Sequence, residues 1–538
     1  MKSFLTALLC LILFTDIIKS QTTTEPYSIE LERINMPGTP SIHSFAFAES
    51  DELNVKWLFI GGRTNGLHGF NAGDAFPKQF ANKNIFVVDP NASLTWSRNI
   101  FLDIPLYIAD PLRSTNMQHF QDGNKLYIIG GYGFDSLSGG FVTFPTLTVV
   151  DVTLMIRAII DGTSIYNCVR QITDSRIQVC GGELQKIGDY FYLVGGHKFT
   201  GYYHPFANEQ VYTDQIKKFK ILDDGFAFSI TDYSVSTDTI EFHRRDMNVV
   251  PAIRPDGISP YIILYGGVFR HGVDLPFLNP VYIDASGSIT DYSFDQKMSQ
   301  YTCSYLSAFN VNDGSMHTTF FGGMSVYFYN EITQMQQYDS LVPFIDDITT
   351  LTKNAAGVSD EKISATKMPA LLGTNARFIF NESVPHFDNN ILKLNELTGR
   401  TFVGYIFGGI RALLPNNTPS FPSDYILKVY ITPKSININP IGNTVPAEFS
   451  LSQNFPNPFN PVTKIKFNLP SNSFTKLSIY DGLGRLVTNV VDSKLAAGIY
   501  EVEWDGSNFS TGIYFCRIDI ANASLGNFTQ TKKMLLIK

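Results

Sequence analysis

Short apolar runs of about five residues alternate along the chain with polar, turn-forming stretches, and six of these runs end in the same way. WLFIGG closes on Gly61-Gly62, LYIIGG on Gly130-Gly131 and FYLVGG on Gly195-Gly196. IILYGG closes on Gly266-Gly267, TTFFGG on Gly322-Gly323 and GYIFGG on Gly408-Gly409. The first glycines of successive pairs stand 56 to 86 residues apart. Runs of this length, rich in β-branched and aromatic residues, read as strands buried on both faces. A strand that leaves a crowded sheet and bends at once needs residues without a Cβ, often at positive φ. Several copies follow a turn and an earlier strand (FQDGNKLYIIGG, LQKIGDYFYLVGG), and most precede another β-rich run (NIFVVDP, LTVVDV, NPVYIDA, YILKVYI). The repeating unit is strand, turn, strand with two glycines, loop, strand, and often a fourth strand. Such units bury by stacking what none buries alone.

The unit resembles the kelch repeat, whose four-stranded blades assemble into a β-propeller. The resemblance covers residues 27–435 and is strongest in the first unit, where Phe86 and Trp96 stand near the family's aromatic pair. Later copies lack the Trp, and the spacing exceeds the roughly 50 residues usual for kelch. It implies an all-β fold with a kelch-like propeller of about six blades. Residues 331–375, with the polar stretch DDITTLTKNAAGVSDEK, read as a long insertion. No fourth strand is evident after YILKVYIT, so YSIELERI at 27–34 is expected to complete the last blade and leave no open edge.

Composition bounds the partners. Charged residues are 17% of the 538, aromatics reach 13%, and the net charge is −8. That balance argues against a nucleic-acid partner. Residues 1–20 (MKSFLTALLCLILFTDIIKS) carry a short positive start and an apolar core of signal-peptide length, too short to span a bilayer of about 30 Å. No later stretch reaches the roughly 18 apolar residues of a membrane helix, so no transmembrane segment is expected. Export permits disulfides. Cys168 and Cys180 flank a turn in NCVRQITDSRIQVC and are expected to form a local bridge, whereas Cys303 and Cys516 read as small buried hydrophobes.

Residues 436–447 form a Pro/Asn-rich linker, and 448–538 alternate short strands with Gly, Asn, Asp and Pro turns, which implies a small antiparallel Ig-like β-sandwich. Five blocks follow in order. QNFPNPFNP carries Gln453, Asn454, Pro456, Asn457 and Pro458, and IYDGLGR carries Asp481, Gly484 and Arg485. AAGIYEVEWDG carries Gly498, STGIYFCRI carries Gly512, and KKMLLIK ends the chain. This segment resembles the type A C-terminal sorting domain of the type IX secretion system. The resemblance implies recognition by an outer-membrane translocon and removal by a sortase-like enzyme. It places the protein outside a Gram-negative bacterium, released or held on the outer cell surface.

Motifs for metalloprotease, nucleophile-elbow, P-loop, dinucleotide and EF-hand chemistry are missing, and no cofactor or metal is expected. In a propeller, ligands commonly meet the loops that follow the diglycine strands and those that enter each blade. That face would carry Arg63, His68, His197, His204, His271 and Arg411, together with Arg244 and Arg245 ahead of the fourth diglycine strand. Convergent imidazoles and guanidiniums suit an anionic or carbohydrate ligand. The plainer alternative is solvated loops and ion pairs that lock blades. The leading expectation is a non-catalytic exported propeller that binds a glycan, peptide or surface partner. A secreted carbohydrate-acting enzyme is the first alternative, as a hydrolase or as a copper radical oxidase using Tyr203, His204, His271 and Cys303. A structural adhesion component is the second. Convergence of the face residues around one deep channel separates these readings.

Overall fold

The computed structural model describes residues 25–50, 52, 55–69, 75–203, 210–416, 419–434, 445–506, 509–522 and 525–538. The expected leader at 1–20, most of the linker, and His204 lie outside the described residues. The chain divides into two compact units, Glu25–Lys434 and a second that contains residues 435–538.

The larger unit holds six four-stranded antiparallel blades. Their first strands are Ala46–Ser50, Gln118–Asp122, Glu183–Ile187, Asn248–Ile253, Ser304–Asn310 and Leu371–Phe380, and each touches the next in turn from blade one to blade six. Each second strand carries a diglycine near or just past its end, and all twelve glycines have φ between +57° and +95°. A Cβ on Gly130 would lie 1.9 Å from the Val179 carbonyl oxygen, and one on Gly322 equally close to that of Leu372. The close approach joins one blade to the next. Gly62 N–H donates to Ser114 (2.9 Å), Gly131 to Val179 (2.9 Å), Gly196 to Arg244 (2.7 Å) and Gly409 to Ile42 (3.0 Å). The last of these bonds links blade six back to blade one.

The ring closes as the sequence predicts. Tyr27–Ile34 pairs antiparallel with Ile426–Pro433, from Tyr27 opposite Pro433 to Ile34 opposite Ile426, and supplies the fourth strand of blade six. The Tyr27 hydroxyl meets Thr319 Oγ1 of blade five at 2.6 Å.

Two expectations are corrected. Residues 331–375 are no insertion: Phe344–Lys353 and Ser359–Lys367 are the outer strands of blade five. Their polar letters disguise a buried sheet in which Thr350 bonds Thr319 at 2.7 Å and Thr349 bonds Gln300. The long spacing before the sixth diglycine instead includes the segment between the first two strands of blade six, whose Ile391–Lys393 runs parallel to Ser304–Asn310. Cys168 and Cys180 are free, buried thiols. Val169–Thr173, the outermost strand of blade two, follows Cys168 directly, whereas Cys180 precedes the innermost strand of blade three. The sheet holds them apart, and burial raises both thiols, to about 11 and about 12.

The C-terminal strands form two sheets. Ser450–Leu451, Val462–Leu469 and Gly498–Asp505 make one, and Leu486–Leu495, Ser473–Asp481, Gly512–Ala521 and Phe528–Leu536 make the other. Ile465, Phe467, Leu477, Ile479, Ile518 and Met534 fill the space between them. The sorting motifs have structural work here. Asn454, buried, donates to Thr463 Oγ1 (2.9 Å) and Pro456 O (3.0 Å). Asn457 and Gln453 donate to Lys533 O of the final strand, and Leu535 N donates back to Asn457. Asp481 accepts from the Leu483 and Arg485 amides, which closes the turn that carries Gly484 at φ +78°.

Candidate functional site

The first strands are innermost in their blades and face the axis with short runs of consecutive residues, such as 119–121 and 304–307. These positions enclose a cavity of about 530 Å³. Phe47 and Glu49 line it from blade one, His119 and Gln121 from blade two, and Glu183 and Gln185 from blade three. Asn248, Tyr305 and Arg377 complete the wall from the remaining blades.

Most of the carboxamides knit neighbouring blades. Gln121 brackets Glu49, accepting from its amide at 2.9 Å and donating to its carbonyl at 2.7 Å. Gln185 donates to Val249 O (2.8 Å) and to the Tyr305 hydroxyl (3.3 Å), and Asn248 donates to Gln300 O (2.8 Å). Glu183 and Arg377 differ. Each influences the other electrostatically, yet neither charged group has a hydrogen bond or ion pair among the described residues. Burial pushes the Glu183 carboxyl up to about 7, with Arg377 opposing the shift. Burial holds the His119 imidazole well below its usual range, reinforced by Arg377, and its Nε2 has no protein partner.

The two ends of the channel are unlike. At the diglycine end, Ser44, Asn116, Gly181, Asp246, Thr302 and Asn375, one from each blade, all adopt left-handed φ of +40° to +65°. Backbone hydrogen bonds run between them, from Gly181 N to Asn116 O (3.0 Å), Asp246 N to Gly181 O (2.7 Å) and Asn375 N to Thr302 O (2.5 Å). Asn116 Nδ2 reaches Asp246 Oδ1 at 3.3 Å, from blade two to blade four. The opposite end is lined by Glu52, Gly123, Asn124, Glu382, Asn389 and Asn390.

Of the ligand-binding candidates singled out from sequence, those described lie outside this cavity's wall. Three of them converge. Arg245 donates to the Tyr203 hydroxyl (2.9 Å) and meets His197 Nε2 at 3.5 Å, and the His68 ring stands 5.0 Å from that of Tyr203. His197 and Arg245 are buried in this packed cluster. Desolvation takes His68 down to about 4. Arg63 braces its own loop through Asn65 (2.9 Å) and Pro77 O (3.0 Å). His271 is exposed and stacks on His243 with ring centroids 3.6 Å apart, and Arg411 lies 3.6 Å from Asp424. Arg244 is corrected outright as a ligand contact. It is 0% exposed and donates to Glu241 Oε2 (2.8 Å), Glu241 O (2.7 Å), Gly266 O (3.1 Å) and Asn279 O (3.0 Å). It locks a blade.

Among the described residues, no group of three or more His, Cys, Asp or Glu is placed to hold a metal. Cys303 contacts Asn248 at 3.8 Å, Tyr203 bonds Arg245 and His271 packs on His243, so these three oxidase candidates have different partners. Sequence reasoning missed Glu183, Arg377, His119 and Gln121. Their available signal was polar alternation in a first strand, as in QHFQD and ELQKI.

Residues 453–536 match the family model described as the secretion system C-terminal sorting domain. No curated protein sequence matches the chain. Among solved structures it is similar to one titled "Structure of YjhT", at 12% identity over 61% of this chain and 85% of that one, with a TM-score of 0.37. It is also similar to a novel fungal alcohol oxidase of the AA5 family in complex with copper, at 10% identity over 96% and 100%, with a TM-score of 0.36. The six sheets and their closure define a six-bladed β-propeller. The sorting domain that follows it marks the chain as type IX cargo, secreted to the medium or outer surface of a Gram-negative bacterium.

Proposed function

We propose that the propeller is a non-catalytic module that binds a glycan in its axial channel, entered from the end opposite the diglycine loops. One observation carries the reading: Glu183 and Arg377 share one cavity, and neither has a hydrogen-bond partner in the described protein. Unpaired charge in a cleft is costly to fold and marks functional sites. A carboxylate that accepts and a guanidinium fork that donates match the hydroxyl pairs of a sugar ring. Phe47 and Tyr305 in the same wall supply flat apolar faces for the ring's C–H surface. On this reading the sorting domain meets the translocon and a sortase-like enzyme, and the propeller works outside the cell.

Titration calorimetry with neutral oligosaccharides tests it. Arg377→Ala is expected to weaken the best ligand at least tenfold while the thermal midpoint of the free protein stays within a few degrees. Unchanged affinity in that variant contradicts the site.

A second reading, a carbohydrate-acting hydrolase, draws on Glu183 alone. A carboxyl titrating at about 7 suits a general acid. Release of new reducing ends by the wild type, abolished in Glu183→Gln, would favour it over simple binding.

A further inference from the structure

We infer that the channel is a blind socket that captures the end of a linear glycan chain, rather than a stretch within it. The inference rests on the binding reading above and adds the part of the ligand that is recognised.

Three observations carry it. First, the diglycine end narrows to a ring of backbone. Five of the six left-handed residues there are hydrogen-bonded from blade to blade at 2.5 to 3.0 Å, Asn116 to Gly181 to Asp246 and Thr302 to Asn375. The Asn116–Asp246 contact at 3.3 Å passes over the intervening blade three. Backbone and side chains drawn this close narrow that end against a sugar. Second, the opposite end is the entrance, and a strap partly crosses it. The strap's base is fixed, with Ile391–Lys393 paired to blade five and Phe387 set 5.8 Å from Phe309. Its tip, Asn389, reaches from blade six to the Lys186 carbonyl of blade three at 3.3 Å. In a ring of six, those blades face each other across the axis. Third, the cavity of about 530 Å³ lies within the range of small-ligand pockets, about 300–1,000 Å³, which is room for a few sugar rings.

A stretch within a chain would have to enter and leave by the same narrowed mouth, folded back on itself. A short, stiff glycan does not make that turn. A chain end enters once, sets its last units between Glu183 and Arg377, and leaves the rest of the polymer outside past Asn389 and Asn390.

The full chain is titrated with linear oligosaccharides of one to six units from cellulose, chitin, starch, xylan and mannan. For the series that binds, affinity is expected to rise over roughly the first three units and then level off. Binding to the parent polymer, at fixed mass, is expected to increase in proportion to the ends created by partial depolymerisation. Affinity that climbs steadily to the hexamer, or polymer binding indifferent to the number of ends, overturns the socket and leaves glycan binding standing. If none of the five series binds, the binding reading itself falls and the socket falls with it.

Discussion

At Glu183 a carboxyl stands in the channel wall with its titration raised from the ordinary 4.5 to about 7 by burial. The folded state therefore holds this proton more tightly than the unfolded chain does. The stabilisation is complete below the unfolded value near 4.5 and is lost as pH rises through about 7. Glu183→Gln removes that dependence. The variant is expected to gain roughly 1–3 kcal/mol over the wild type at pH 8 and nothing comparable at pH 4, read by denaturant titration at both pH values. Arg244 is the opposite case, a charge whose hydrogen bonds are all made inside the fold. Arg244→Ala leaves Glu241 buried without its ion-pair partner and is expected to cost about 3–5 kcal/mol. The string HRRD showed sequence reasoning only that charge gathers there. Burial sorts it: His243 faces its stack with His271, Arg244 turns inward, and Arg245 sits under Tyr203.

Among the elements, the diglycine strands were legible because their requirement is local. A backbone at positive φ pressed against a carbonyl admits only glycine, and the letters show it. Gly130→Ala is expected to destabilise by more than about 2 kcal/mol, since its Cβ would stand 1.9 Å from Val179 O. Gly123→Ala, at φ +56° with nothing within 4 Å, is expected to lose only about 1 kcal/mol. Thermal unfolding of the pair separates contact from conformation. The closing N-terminal strand was legible too, as the one unpaired strand left over. The outer strands of blade five were not. Buried threonines that bond one another across a sheet look, in sequence, like solvated loop. In the sorting domain, Asn454→Ala removes one buried and one part-buried hydrogen bond. It is expected to cost about 1–3 kcal/mol, and the same variant should accumulate inside the cell in place of the medium.

For the whole molecule, architecture and address were readable and the site was not. Repeats announce themselves by recurring, whereas the channel wall gathers unlike short runs from all six blades. No spacing rule links positions that only ring closure brings together. The face residues drew attention because imidazoles and guanidiniums in loops look available. The fold spends Arg63 and Arg244 on bracing, packs His197 and Arg245 among aromatic rings, and leaves two inner-strand charges unpaired on the axis. The most direct test of this account is a crystal structure of the full chain with its best-binding oligosaccharide. The account predicts sugar density in the channel, in contact with both Glu183 and Arg377. Density at the diglycine face, beside His271 or Arg411, with the channel free of sugar, would contradict it.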